Sequence, residues 1–136
     1  VVEGLCFEAR IIADLTEHVF QTHVDTLNTI GGGARSAVWQ QIKADVTGKQ
    51  VEVPEVEEAT VMGAALLAGV GTGVFASLVD ASERTYRVRT SYRPNHEVAD
   101  RYRPLFDLYK DLYQTLRPAN ERLAEIEESM RKEQTQ

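Results

Sequence analysis

The chain has 136 residues, 43% of them hydrophobic, with a net charge of −6 and one cysteine. That length suits one domain or part of one, with enough apolar residues for a core. The acidic balance argues against nucleic-acid and anionic-membrane partners, no apolar run reaches the ~18 residues of a spanning helix, and a lone Cys6 forms no intrachain disulfide, so a reducing, cytoplasmic setting is expected.

The opening Val1-Val2-Glu3-Gly4-Leu5 has neither Met nor a capping residue and reads as the inside of a helix, so a piece of a longer chain is expected. Leu5, Ala9, Ile12, Leu15 and Val19 recur at steps of three and four and predict an amphipathic helix over 1–20. Cys6 reads as a small core residue, and His18 and His23 as helix-end side chains rather than metal ligands.

The stretch around which the chain is organised follows. Thr26-Leu27-Asn28-Thr29-Ile30 is extended, Gly31-Gly32-Gly33 is a glycine loop, and Ser36 opens a helix over 36–47 holding Trp39, Ile42 and Val46, with Gln40, Gln41 and Lys43 facing another way. Ser36 is a good N-cap, and Gly48 a good terminator. A strand–glycine loop–helix junction suits an anion: the first helical N–H groups lack intrahelical partners, and glycines let a ligand approach the backbone. A simple tight turn is the alternative. No Gly-x-x-x-x-Gly-Lys-Ser/Thr and no Gly-x-Gly-x-x-Gly occurs here, which excludes a P-loop and a Rossmann fingerprint.

Gln50-Val51-Glu52-Val53-Pro54 alternates as a short strand. A third helix, over about 57–69, is rich in Ala and Gly; Glu55, Glu57 and Glu58 before it read as carboxylates favoured at a helix N-terminus rather than as catalytic acids. Gly69, Gly71 and Gly73 read as a turn between helix pieces. Residues 80–97 read as a polar extended connector, in which Tyr86, Val88 and Tyr92 interleave with Arg87, Arg89 and Arg93. Arginines among aromatics can bind nucleic acid, but the acidic whole favours a solvated segment. Val98, Tyr102, Leu105, Tyr109, Leu112 and Leu116, spaced 4, 3, 4, 3, 4, predict a long helix that kinks or begins at Pro104. Its stripe is expected to pack on its own domain, with a coiled-coil partner as the alternative. Pro118 interrupts its far end, and 119–136 is a charged tail. Two strands make no convincing sheet, so further strands are expected upstream.

The run Gly31-Gly32-Gly33-Ala34-Arg35-Ser36-Ala37-Val38-Trp39 through Gly48, continued by Val53-Pro54-Glu55-Val56-Glu57-Glu58-Ala59-Thr60 and Gly63-Ala64-Ala65, resembles the C-terminal domain of the FGGY carbohydrate kinases. Glu3-Gly4-Leu5-Cys6-Phe7 resembles the helix before the family's loop, and Tyr102, Tyr109 and Tyr113 its C-terminal helix. The resemblance covers about 1–118 and looks most like the xylulokinase branch, with features of autoinducer-2 kinases. Ala37 stands where glycerol kinases carry an Asn, which points away from them.

The resemblance implies an α/β fold, helix-rich with few strands: part of the second domain of an actin-like, ribonuclease-H-like pair around a cleft. It implies ATP or ADP at Gly32, Gly33 and Ala34, flanked by Ser36 and Ala37, with Mg2+ held mostly by residues outside this chain. It implies a sugar hydroxyl, most simply of a pentulose, as acceptor, and an N-terminal FGGY domain as partner. The catalytic base is expected upstream, so no catalytic residue and no metal ligand is assigned here, and the chain alone is expected to be inactive. The competing readings are a non-catalytic nucleotide-binding module and a helical interaction protein; a homodimer is left open.

Overall fold

The computed structural model describes residues 1–56 and 58–133. Its centre is a βαβ unit. Strand β1 (Thr26–Asn28) leads through a 3-10 turn (Gly32–Arg35) into helix α2 (Ala37–Thr47), which returns to β2 (Gln50–Pro54). The two strands run parallel, with Thr26 beside Gln50 and Asn28 beside Glu52. The return is possible because Gly48 ends α2 at φ 70° and donates its N–H to the Ala44 carbonyl. Strand β3 (Val88–Tyr92) adds antiparallel to the other side of β2, giving the order β1-β2-β3 with a register shift at Val53/Pro54.

Helix α1 (Val2–Phe20) and the start of α5 (His96–Glu133) pack on α2. Cys6, Phe7, Val46 and Phe106 form the buried cluster, with Trp39, Ile42, Tyr102 and Tyr109 packed around it. Phe7 is its hub: its ring centroid lies 5.3 Å from Tyr109, 5.8 Å from Phe106 and 6.2 Å from Tyr102, within the range of favourable aromatic pairs. The Arg10 guanidinium covers Phe106 at 4.1 Å. Burial pushes the Cys6 thiol up, as befits a core residue.

Several expectations are corrected. Helix α1 forms, but Cys6, Phe7 and Ala13 face the core, while Leu5, Ile12, Leu15 and Val19 lie on the opposite, exposed face. Residues 80–97 are not a connector. They hold most of helix α4 (Leu78–Thr85) and all of β3. Helix α4 is capped by the Ser77 hydroxyl, which accepts from the Asp80 N–H at 3.1 Å. Helix α3 (Ala59–Gly71) takes in Gly69 and Gly71; of the three glycines, only Gly73, at φ 79°, makes the turn. Helix α5 neither begins at Pro104 nor stops at Pro118 but runs through both. The missing N–H groups are tolerated because the carbonyls opposite them belong to Asp100 and Gln114, both exposed. Of the acidic trio, Glu55 and Glu58 are exposed just before α3, and Glu57 lies outside the described residues, as do 134–136 of the charged tail. No helix among the described residues is long and apolar enough to cross a membrane.

Candidate functional site

Strands β1 and β2 end at the same edge of the sheet. In open α/β sheets, ligands bind beyond the carboxyl ends of parallel strands. Here that edge carries the glycine loop. Gly31 takes φ 81° and ψ −174°, a conformation that L side chains avoid, and so turns the chain sharply out of β1. The Gly31 carbonyl accepts the Ala34 N–H at 3.0 Å, and the Gly33 carbonyl accepts the Ser36 N–H at 3.3 Å, which closes the 3-10 turn. Ser36 is extended, and its Oγ accepts the Trp39 N–H at 3.3 Å, so α2 begins at Ala37 with a capped end.

The five residues predicted to meet a ligand therefore sit together but differ in kind. Gly32 is exposed, and nothing lies within 4 Å of where its Cβ would be. Gly33 is half-buried, and a Cβ there would stand 2.9 Å from Cζ3 of Trp39. Ala34 is buried and its N–H is spent on Gly31. Ser36 is exposed, with its oxygen engaged in the cap. Ala37 is exposed at the first turn of α2, where the leading N–H groups have no intrahelical acceptor.

Two residues beneath the loop escaped the sequence reading. Gln40, expected on a polar outer face, is fully buried. Its Nε2 donates to the Gly33 carbonyl at 2.8 Å. The Lys43 ammonium donates to Thr29 Oγ1 at 3.1 Å and reaches Gln40 Oε1 at 3.4 Å. Thr29, Lys43, Gln40 and Gly33 thus form a polar chain that ties both arms of the loop to α2. Burial holds the Lys43 ammonium below the usual lysine range. Their only sequence signal is their spacing of three, which puts both on one helical face; nothing in that spacing says the face is covered.

Beside the loop, a cleft of about 200 Å³ opens between the strand ends, α3 and α4. Asn28, Ile30, Pro54, Met62, Tyr86 and Arg87 are among its walls. The Tyr86 hydroxyl donates to Asn28 Oδ1 at 2.6 Å and also approaches Glu52 Oε2 at 3.2 Å, linking the segment after α4 to β1 and β2. Partial burial, then the Glu52 carboxylate, pushes Tyr86 up. His23 lies between Glu17, at 3.0 Å, and Asp25, at 3.1 Å, away from the loop. Among the described residues, no group of three or more His, Cys, Asp and Glu side chains is arranged to hold a metal ion. The arrangement offers a tight turn with an open backbone face beside an apolar cleft.

Known proteins resemble this chain in sequence and fold. The signature of the FGGY family of carbohydrate kinases, C-terminal domain, matches residues 1–72. A xylulose kinase of Bacillus subtilis (strain 168) is 35% identical over 113 residues, which are 83% of this chain and 22% of that protein. An autoinducer-2 kinase of Escherichia coli (strain K12) is 39% identical over 92 residues, 68% of this chain and 17% of that protein. The crystal structure of xylulose kinase from Rhodospirillum rubrum superposes with a TM-score of 0.72 at 26% identity, over 86% of this chain and 24% of that one. The chain thus spans about a fifth of the length of the curated relatives it matches. It belongs to the FGGY family of carbohydrate kinases, as part of their C-terminal domain.

Proposed function

We propose that this chain is the nucleotide-binding part of an ATP-dependent carbohydrate kinase, with residues 1–118 as the domain portion and 119–136 as an appendage. The observation that carries the reading is the exposed backbone face at Gly32, held at the carboxyl end of β1 beside an apolar cleft. In this reading, the nucleotide lies against the backbone at Gly32, with Gly33 and Ala34 shaping the turn behind it and Ser36 and Ala37 flanking it at the helix end. No Cβ at Gly32 stands between ligand and chain, and the opening turn of α2 favours negative charge.

The chemistry would be transfer of the γ-phosphoryl of MgATP to a hydroxyl of a pentulose such as xylulose. The base, the Mg2+ ligands and most sugar contacts would lie elsewhere in the parent protein, which would act in the cytoplasm. Phosphoryl transfer is dominated by positioning and charge stabilisation, and this chain would contribute part of the positioning. The exposed face of α1, with Leu5, Ile12, Leu15 and Val19, supports a further part of the parent packed against it, including the N-terminal FGGY domain across the cleft. The E. coli relative is an autoinducer-2 kinase, which makes that substrate the second reading.

Titration with MgADP, followed by Trp39 fluorescence, tests the reading. The indole packs against Gly33, so it reports on the loop directly. Saturable quenching in the wild type, lost in Gly32→Asp with the fold intact by circular dichroism, is the expected result. Gly32→Asp puts a carboxylate where the phosphates would approach, in space that is open. Quenching that survives Gly32→Asp moves the nucleotide elsewhere, and no quenching in a folded wild-type chain removes the claim that this part binds alone.

A further inference from the structure

We infer that the distal half of α5 is a parallel, in-register coiled-coil seam for a second copy of this chain, independent of what the glycine loop binds. The basis is a heptad that continues through Pro118. Tyr102, Leu105, Tyr109, Leu112, Leu116, Ala119, Leu123, Ile126 and Met130 alternate spacings of three and four on one continuous helix. Counting Tyr102 as position a, Leu105 is d, and the pattern is kept for four heptads, of which somewhat under three, from Leu112 to Met130, lie past the residues packed on the body.

The two halves of this seam have different fates. Tyr102 and Tyr109 are packed on the buried cluster of the chain's own body. Every described side chain from Lys110 to Lys132 is exposed, including Leu112, Leu116, Leu123, Ile126 and Met130. At ~1.5 Å per residue, the helix continues about 35 Å past Tyr109. A single helix with such a stripe leaves it in water, and a second copy of the same helix covers it.

The flanks choose both partner and direction. In a parallel pair in register, each g residue faces the e residue five positions on in the other helix. That sets Leu108 against Tyr113, Thr115 against Asn120, and Arg122 against Glu127 of the second copy. Each pair matches in kind: apolar with apolar, neutral polar with neutral polar, cation with anion. An antiparallel pair centred between Leu116 and Ala119 sets Arg122 against Thr115 and Glu127 against Phe106, with no ionic match. Both prolines fall at position c, on the outer side, where a lost backbone hydrogen bond does not touch the seam. The ion pairs along the helix, Arg117–Glu121 at 2.9 Å and Glu128–Lys132 at 2.7 Å, also use outer positions b, f and c.

Sedimentation equilibrium of the 136-residue chain tests this. The expected result is a monomer–dimer equilibrium that Ile126→Asp shifts to monomer and Leu15→Asp, on α1, leaves in place. Arg122→Glu is expected to weaken the dimer about five- to tenfold, and Arg122→Glu with Glu127→Arg to restore it. Leu123→Cys is expected to cross-link to itself under mild oxidation, because equal positions meet only in the in-register parallel pair, and Glu121→Cys on the outer face is not. Cys6 is fully buried and does not compete. A folded chain that stays monomeric, a dimer lost in Leu15→Asp but kept in Ile126→Asp, or a Leu123→Cys that fails to cross-link overturns the proposal.

Discussion

Gly31, Gly32 and Gly33 are the same residue, and the structure gives two of them different reasons to be glycine and the third none. At Gly31 the reason is the backbone. Its φ of 81° and ψ of −174° lie in a region populated almost only by glycine, so Gly31→Ala is expected to cost ~1–3 kcal/mol. At Gly33 the reason is a neighbour: an added Cβ would meet Trp39 at 2.9, 3.3 and 3.4 Å on three ring atoms. That ring packs on the Cys6–Phe7–Val46–Phe106 cluster, so it has little room to withdraw, and Gly33→Ala is expected to cost ~1–3 kcal/mol by overpacking. At Gly32 the folded chain gives no reason. Its φ is outside the left-handed region and nothing lies within 4 Å of a Cβ, so Gly32→Ala is expected to be neutral or to stabilise by up to ~1 kcal/mol through the unfolded state. Urea unfolding followed by far-ultraviolet circular dichroism separates the three. A gap of about 1–2 kcal/mol is also a melting-temperature difference of several degrees at this size. If Gly32→Ala destabilises as much as its neighbours, or Gly33→Ala is neutral, the loop geometry is wrong. If stability behaves as expected while Gly32→Asp abolishes MgADP binding, the third glycine is explained by a ligand, since the fold alone does not require it.

Gln40→Leu keeps the volume but removes the donor to the Gly33 carbonyl. That carbonyl still holds the Ser36 N–H, so the cost is expected at ~0.5–1.5 kcal/mol, with faster amide exchange at Ala34 and Ser36; an unchanged urea midpoint would count against the polar chain under the loop. Glu17 is held below its ordinary value of 4.5 by its hydrogen bond from the Lys49 ammonium, at 2.7 Å, and then by that from the Val24 N–H, at 2.8 Å. A depressed folded value means that the contribution is fully present above the unfolded value and is lost as the pH falls through the folded one. Melting curves of wild type and Glu17→Gln are therefore expected to differ at neutral pH and to converge in acid; a constant offset would refute the assignment.

The parts of the fold that were legible are those where a local rule and the tertiary contact agree. Ser36 caps, Gly48 terminates, and Val51 and Val53 alternate into the core, so α2 and β2 were placed within a residue. The missed elements lack an apolar signature. Strand β3 is exposed at four of its five residues and is held by its backbone ladder to β2, which leaves no trace in side-chain polarity. Helix α4 buries only Ala81, and its signal is the capping pair of Ser77 and Asp80, of which only Asp80 falls in the stretch read as a polar connector. The loop was legible because strand, glycines and cap follow one another. Gln40 and Lys43 were not, because burial of a polar side chain is decided by a carbonyl and a hydroxyl reached through space, at Gly33 and Thr29.

Helix periodicity marks a face that gains from burial without naming its cover, and α1 and α5 resolve this differently. On α1 the regular stripe is exposed, and the core side is made instead by Cys6, Phe7 and Ala13 on the opposite face. A helix apolar on two opposite sides suits a position between two layers, and the relatives contain far more chain from which a second layer could come. On α5 the stripe is single. Its first part is used at home by Tyr102 and Tyr109, and its second leaves the body altogether. An apolar stripe that none of the described residues covers gains from a partner that extends along it. The flanking residues then discriminate, because Arg122 and Glu127 meet in a parallel copy and do not in an antiparallel one. The two exposed stripes therefore call for different tests, cover by the parent chain for α1 and association of copies for α5, and substitutions at Leu15 and Ile126 keep them apart.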